Sequence, residues 1–149
     1  MLYMAGLVSI DHNLKMSDFL DPEGYVPKEL YLSKEQIEHL KEKHNIESFS
    51  VEEPLCFDVY NKKIKTNGLC ITITQPEHNS LRVVEVPKED GVEIVRKMSV
   101  DEQFRFMGFR DGELNYAEQS YSQLSTRAGN GWDVNLVGIL LNHIFNQIL

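Results

Sequence analysis

The spacing of apolar residues changes three times along the chain. Residues 2–10 form an almost unbroken apolar run, which predicts a buried strand. Asp21-Pro22-Glu23-Gly24 is turn chemistry. Ser33 then stands as a helix N-cap, with Gln36 completing a capping box and Leu32 placed to staple onto Ile37. Ile37 and Leu40 carry that helix to about His44, and Lys34 with Glu38 makes a supporting pair on its charged outer side. From about 56 to 95 the period shortens to two. Residues 57–60 alternate, and Leu69, Ile71 and Ile73 share one face of a strand over 69–74. Strands over 81–86 and 92–95 complete a small sheet. Asn67-Gly68, residues 76–80 and Glu89-Asp90-Gly91 are the turns between them. Ser99 and Glu102 form a second capping box. Val100, Phe104 and Met107 make its apolar stripe, and Gly108 is placed to end the helix. A loop over 109–122 leads to Ala128-Gly129-Asn130-Gly131 and a last helix over about 133–148.

That last helix is unusual. Val134, Val137, Leu141, Ile144, Phe145 and Ile148 make one stripe, while Leu136, Ile139, Leu140 and Leu149 add apolar surface on other sides. A helix apolar around its circumference needs burial on more than one face. With only a few short elements, the chain has little with which to cover it, so the pattern implies a missing neighbour.

Composition sets the outer bounds. At 149 residues, 42% hydrophobic and 26% charged, the chain is the size and texture of one folded domain. A formal net charge of −8, spread evenly, excludes a polybasic nucleic-acid coat. No apolar run is long enough to span a bilayer. The apolar opening lacks the basic flank of a signal peptide, so a cytoplasmic location is expected. Cys56 and Cys70 form no CxxC pair and read as two small buried hydrophobes, since a reducing compartment disfavours a disulfide. The five histidines show no ligand spacing, so no metal is assigned.

Two segments, in order, carry a family resemblance. Arg96-Lys97-Met98-Ser99-Val100-Asp101-Glu102-Gln103-Phe104-Arg105-Phe106-Met107-Gly108-Phe109-Arg110-Asp111 resembles the ninth conserved motif of DNA (cytosine-5)-methyltransferases, R-x-L-S/T-x-x-E-x-x-R-L-x-G-F. Met98 and Phe106 stand in for Leu, and Val100 for Pro. Gln123-Leu124 with Ala128-Gly129-Asn130-Gly131-Trp132-Asp133-Val134 resembles the tenth, whose core is A-G-N-S/G leading into a helix. Residues 45–95 occupy the place of that family's target-recognition region, and Thr72-Ile73-Thr74 is similar to its Thr-Leu step. Tyr31-Leu32-Ser33-Lys34-Glu35-Gln36-Ile37 resembles the helix opening this section, and Leu2-Tyr3-Met4-Ala5-Gly6 the strand closing the eighth motif. The resemblance covers only the C-terminal third of the family. It implies an α+β fold: a small β-rich target-recognition module flanked by helices, with a C-terminal apolar helix that belongs to an incomplete Rossmann-like methyltransferase domain. The divisions fall at 1–45, 46–95 and 96–149.

The family's Pro-Cys nucleophile, its Gly-rich cofactor loop and its Glu-Asn-Val segment are absent from this sequence. No catalytic residue is therefore assigned. The resemblance implies a C-terminal fragment or subunit that adds target recognition and part of an S-adenosylmethionine site to a partner chain carrying the catalytic Cys. In that family the target cytosine is flipped from the duplex before a thiolate attacks it. Gly129, Asn130, Gly131 and Trp132 would meet the cofactor once the N-terminal half is present. Lys62, Lys63, Lys65, Thr72, Ile73 and Thr74 would meet double-stranded DNA in the complex, lysines on phosphates and threonines on base edges. Arg96, Glu102 and Arg105 would organise the recognition region. Alone, the chain would form a homodimer; no membrane is involved. Plainer roles exist for each set. Asn130 and Asp133 can cap the last helix, the lysines can be a solvated sheet edge, and Glu102 and Arg105 can be a cap and a surface charge. The alternative function is a catalytically inactive remnant or an accessory DNA- or protein-binding module.

Overall fold

The structure is a computed structural model that describes residues 14–76 and 80–148. The strand expected over 2–10 lies outside the described residues. Among the described residues, four short strands pair antiparallel in the order β2-β1-β3-β4: β1 Leu55–Asp58, β2 Lys63–Lys65, β3 Leu81–Glu85 and β4 Ile94–Arg96. Cys56 pairs with Lys65 on one side and Val83 on the other, and Val83 pairs in turn with Arg96. The helices are α1 Lys34–His44, α2 Val100–Phe106, α3 Tyr121–Asn130 and α4 Val134–Ile148. The fold is α+β, with a small antiparallel sheet and a C-terminal helix.

Every residue of β1 is buried, so the two-residue alternation expected there is not observed. Both faces of the sheet are covered. Phe57, Val84 and Val95 pack with Ile37 of α1 and with Phe49 on one face. Cys56, Leu81 and Val83 pack with Met16, Ile73 and Met98 on the other. The strand also ends two residues earlier than the pattern predicts. The Asp58 carboxylate accepts the N–H groups of Tyr60 and Asn61, both at 3.0 Å, and folds the chain away, leaving Tyr60 exposed. The free side of β4 is closed by residues 30–32: Leu32 N–H donates to Val95 at 2.9 Å and Lys97 N–H to Leu30 at 2.9 Å.

Capping boxes set the helix starts. Ser33 with Gln36, and Ser99 with Glu102, form as the sequence predicts. Lys34 makes no ion pair with Glu38 among the described residues; Lys41 does, and also reaches Glu93 at 3.0 Å. The apolar stripe expected on α2 is only half-buried, and its two fully buried residues are Glu102 and Gln103. Gly108, at φ +85°, ends that helix as expected.

Two expectations fail for a common reason. Residues 69–74 join no ladder, and α3 begins inside the stretch read as a loop, behind a third box of Ser120 and Gln123. The 69–74 segment lies against α3 instead of a strand, with Ile73 in the core and Leu69 exposed. No described side chain of α4 is buried, and Val134, Leu136, Leu141, Ile144 and Phe145 are exposed. Among the described residues no helix is long and apolar enough to cross a membrane.

Candidate functional site

Gly129 occupies the last turn of α3, where a Cβ would stand 2.5 Å from the Thr74 carbonyl carbon and 2.6 Å from the Gln75 nitrogen. Only glycine permits that approach. Beside it, the Gln75 amide donates to Asn130 Oδ1 at 2.6 Å. The fold thus brings the 72–74 segment onto the Gly129-Asn130 step, two sites that lie 55 residues apart in sequence. The step ends a helix; the sequence pattern placed it at a helix entrance. Gly131 is the C-cap of α3, and Asp133 caps α4 by accepting the Leu136 N–H at 2.7 Å.

This geometry limits what a nucleotide-like cofactor would meet. The open side of Gly129 is filled by the chain's own backbone, and a Cβ on Gly131 would sit 3.3 Å from Ala128 O and Met107 Cε. Trp132 is 73 % exposed, and Asn130 is exposed with its Nδ2 unused among the described residues. Of the four residues named for the cofactor, these two fit a ligand surface; the two glycines serve packing.

The DNA candidates divide as well. Lys63 and Lys65 lie on β2, which among the described residues pairs with β1 alone and ends the sheet, and Lys62 precedes it with a left-handed backbone at φ +56°. Lys65 and Thr72 line one shallow cleft of about 490 Å³, together with Tyr60, Asn61, Asn67 and Ser80. Lys62 and Lys63 stand outside that cleft. Ile73 is 8 % exposed and belongs to the core, and Thr74 buries an Oγ1 that has no partner among the described residues.

Arg96, Glu102 and Arg105 form a single polar network. The Arg96 guanidinium, wholly buried, meets Glu102 through two parallel bonds of 2.7 Å and also pairs with Glu85. Glu102 further accepts the Asp21 N–H at 2.8 Å and the Ser99 N–H at 2.8 Å. Arg105 pairs with Asp21, bonds Asp111 at 2.7 Å and donates to Phe19 O at 2.6 Å. Burial works against the Arg96 charge, yet Glu102 and Glu85 outweigh it, so the guanidinium holds its proton more tightly than an ordinary arginine. Removing one partner of such a pair typically costs about 3–5 kcal/mol, because the other charge is left buried alone. The sequence signalled Glu102 as a cap and, through the resemblance, as one of three residues that would organise the recognition region. The other members of the network, Asp21, Glu85 and Asp111, carry no such signal, because they come from three separate segments.

Cys56 and Cys70 are free thiols in one apolar cluster, close enough to influence each other's ionisation. Their mutual interaction holds Cys56 below the ordinary thiol range and pushes Cys70 above it, with burial adding to the latter. Cys56 is buried and Cys70 half-buried in the same apolar cluster. Among the described residues, no group of three or more His, Cys, Asp or Glu side chains could hold a metal ion. The chain matches no protein-family profile, no curated protein and no solved structure.

Proposed function

We propose that this chain supplies target recognition, and part of the S-adenosylmethionine site, to a DNA cytosine-5 methyltransferase whose catalytic Cys lies on a partner chain. The observation that carries the reading is the unpartnered apolar side of α4. Val134, Leu141, Ile144 and Phe145 are each more than 40 % exposed, directly after the Gly129-Asn130 step. Contiguous apolar surface of this kind marks an interaction site. The catalytic half is the occupant that the resemblance names, and a Rossmann-like domain would be completed on this helix. S-adenosylmethionine supplies the methyl group when bound. In this chain Trp132 would offer a face to its adenine and Asn130 a side-chain donor. Lys65 and Thr72 would border the DNA, with Lys62 and Lys63 reaching phosphates along the β2 edge. Arg96, Glu102 and Arg105 would hold the recognition sheet and α2 in fixed relation. The cytoplasm, where such a target is reached, is the proposed location.

Co-expression with a chain bearing the Pro-Cys segment and the Gly-rich cofactor loop tests this. A complex that transfers tritiated methyl from S-adenosylmethionine to duplex DNA is expected. Leu141→Glu with Phe145→Glu should abolish the complex while leaving the thermal unfolding of the lone chain unchanged. Absence of both complex and label defeats the reading. A complex without label favours the inactive-module alternative.

A further inference from the structure

The chain visits one face of the sheet twice with a cysteine. Cys56 stands on β1 opposite Val83, and both belong to the cluster formed with Met16, Ile73, Leu81 and Met98. After β2 the Asn67-Gly68 turn reverses the chain. The Gly68 carbonyl accepts the Met16 N–H at 2.7 Å, and Cys70 and Ile71 then pack onto the cluster that holds Cys56. The two thiols meet there, since each is the largest single influence on the other's ionisation. Their access to solvent differs. Cys56 is 0 % exposed, whereas Cys70 is half-buried and lines the cleft of about 490 Å³ with Lys65, Asn67 and Thr72. That volume is in the range of small-molecule sites. An outer sulfur that a solute can reach, backed by an inner one that it cannot, is the arrangement of thiol–disulfide exchange: the first takes up the solute and the second displaces it.

We propose that Cys70 and Cys56 form a reversible disulfide by exchange with a small-molecule disulfide that enters the cleft, Cys70 reacting first and Cys56 resolving. Cys56 is the more acidic of the two, so it carries the thiolate when the pair has lost one proton. It takes the Cys70 proton as the Cys70 sulfur attacks the incoming S–S bond. A mixed disulfide forms on Cys70, and the departing small thiolate recovers that proton from Cys56. The Cys56 thiolate then attacks the Cys70 sulfur, the Cys56–Cys70 bond forms, and the second small thiolate leaves. Two electrons pass from the protein pair to the incoming disulfide, which is reduced to two thiols. The Ile71 peptide favours charge on both sulfurs, and Lys65 favours it on Cys56, against burial and Asp58. The new bond would tie the 69–74 segment, which joins no ladder, to β1, and would hold Thr72 of the cleft with it. A transient bond of this kind is what a reducing compartment permits. The proposal does not depend on the methyltransferase reading.

The test uses the full chain alone, reduced and then exposed to oxidised glutathione under native conditions. Intact mass and non-reducing peptide mapping follow the reaction. The parent should lose two hydrogens, retain no glutathione and show a single Cys56–Cys70 cross-link, which excess reduced glutathione reopens. Cys56→Ala should stop at the mixed disulfide, with one glutathione on Cys70. Cys70→Ser should stay unmodified until denaturant exposes Cys56. Cys56 lies in the core, so a second measurement covers a Cys56→Ala chain that does not fold: in the parent quenched early, glutathione should be found on Cys70 before the cross-link appears. A parent that stays reduced, keeps its glutathione, or cross-links only between chains overturns the proposal. So does a Cys70→Ser chain that reacts natively as fast as the parent.

Discussion

His44 closes α1 against Phe57, ring edge to ring face at 5.8 Å, and neither of its nitrogens has a partner among the described residues. Burial, reinforced by Lys43, Lys62 and His39, holds its pKa below the ordinary value of 6.5. The unfolded chain therefore takes up this proton more readily than the folded one. The stability due to a neutral His44 is complete above 6.5 and is lost as pH falls through that value towards the lower folded one. Asp58 acts in a separate window. Burial raises its pKa, but hydrogen bonds from Asn61 and Tyr60 outweigh that and hold it below 3.8, so its contribution is lost only in stronger acid. The urea-unfolding midpoint of the parent should thus fall between about pH 7 and about pH 5.5, where histidines titrate. His44→Leu should flatten the curve over that interval. Equal slopes for the two proteins would show that the loss arises elsewhere.

At the scale of elements, what could be read from sequence was what neighbouring residues decide. Ser33 with Gln36 and Ser99 with Glu102 place α1 and α2 because a capping box is closed within four residues. Ser120 with Gln123 carries the same signal for α3, and it was hidden by the polar residues around it. The 69–74 segment was not legible. Its alternation is genuine, but a ladder needs a partner, and this stretch takes the flank of a helix instead. Of the candidate site, Lys65 and Thr72 do come together, while the role of Gly129 is set by a contact with Thr74 and Gln75 that no local pattern announces. That contact is testable. A methyl group at position 129 would stand 2.5–2.7 Å from peptide atoms that have no side-chain freedom to yield. Gly129→Ala should therefore destabilise the chain by about 1–3 kcal/mol, the usual cost of overpacking. Gly112→Ala is a control in open space, where only the φ of +78° is strained. If Gly129→Ala melts at the parent temperature, α3 does not rest on the 74–75 peptide.

Across the whole molecule, stability is concentrated at one end. The two apolar clusters, together with the network of Arg96, Glu102, Arg105 and Asp21, tie residues from the first, middle and last thirds into one body. Met16 and Met98 sit in the same cluster, and residues 30–32 extend the sheet. Among the described residues, few contacts join α4 to that body: the Val134 N–H donates to Met107 O at 2.9 Å, and Gly108 lies close against Asn135. Its own backbone bonds are intact, but an isolated helix of this length is marginal in water without a packed face. The apolar side that should supply packing energy faces solvent. Local opening of α4 therefore needs far less free energy than global unfolding. In native-state hydrogen exchange of the lone chain, amides of Leu81–Glu85 should exchange only through global unfolding. Those of Val134–Ile148 should exchange orders of magnitude faster, with little dependence on denaturant. Binding of a catalytic half to α4 should slow the second set and leave the first unchanged. If α4 in the lone chain is protected as well as β3, the helix is already covered, by its own chain or by a second copy. The exposed side would then no longer point to a missing partner.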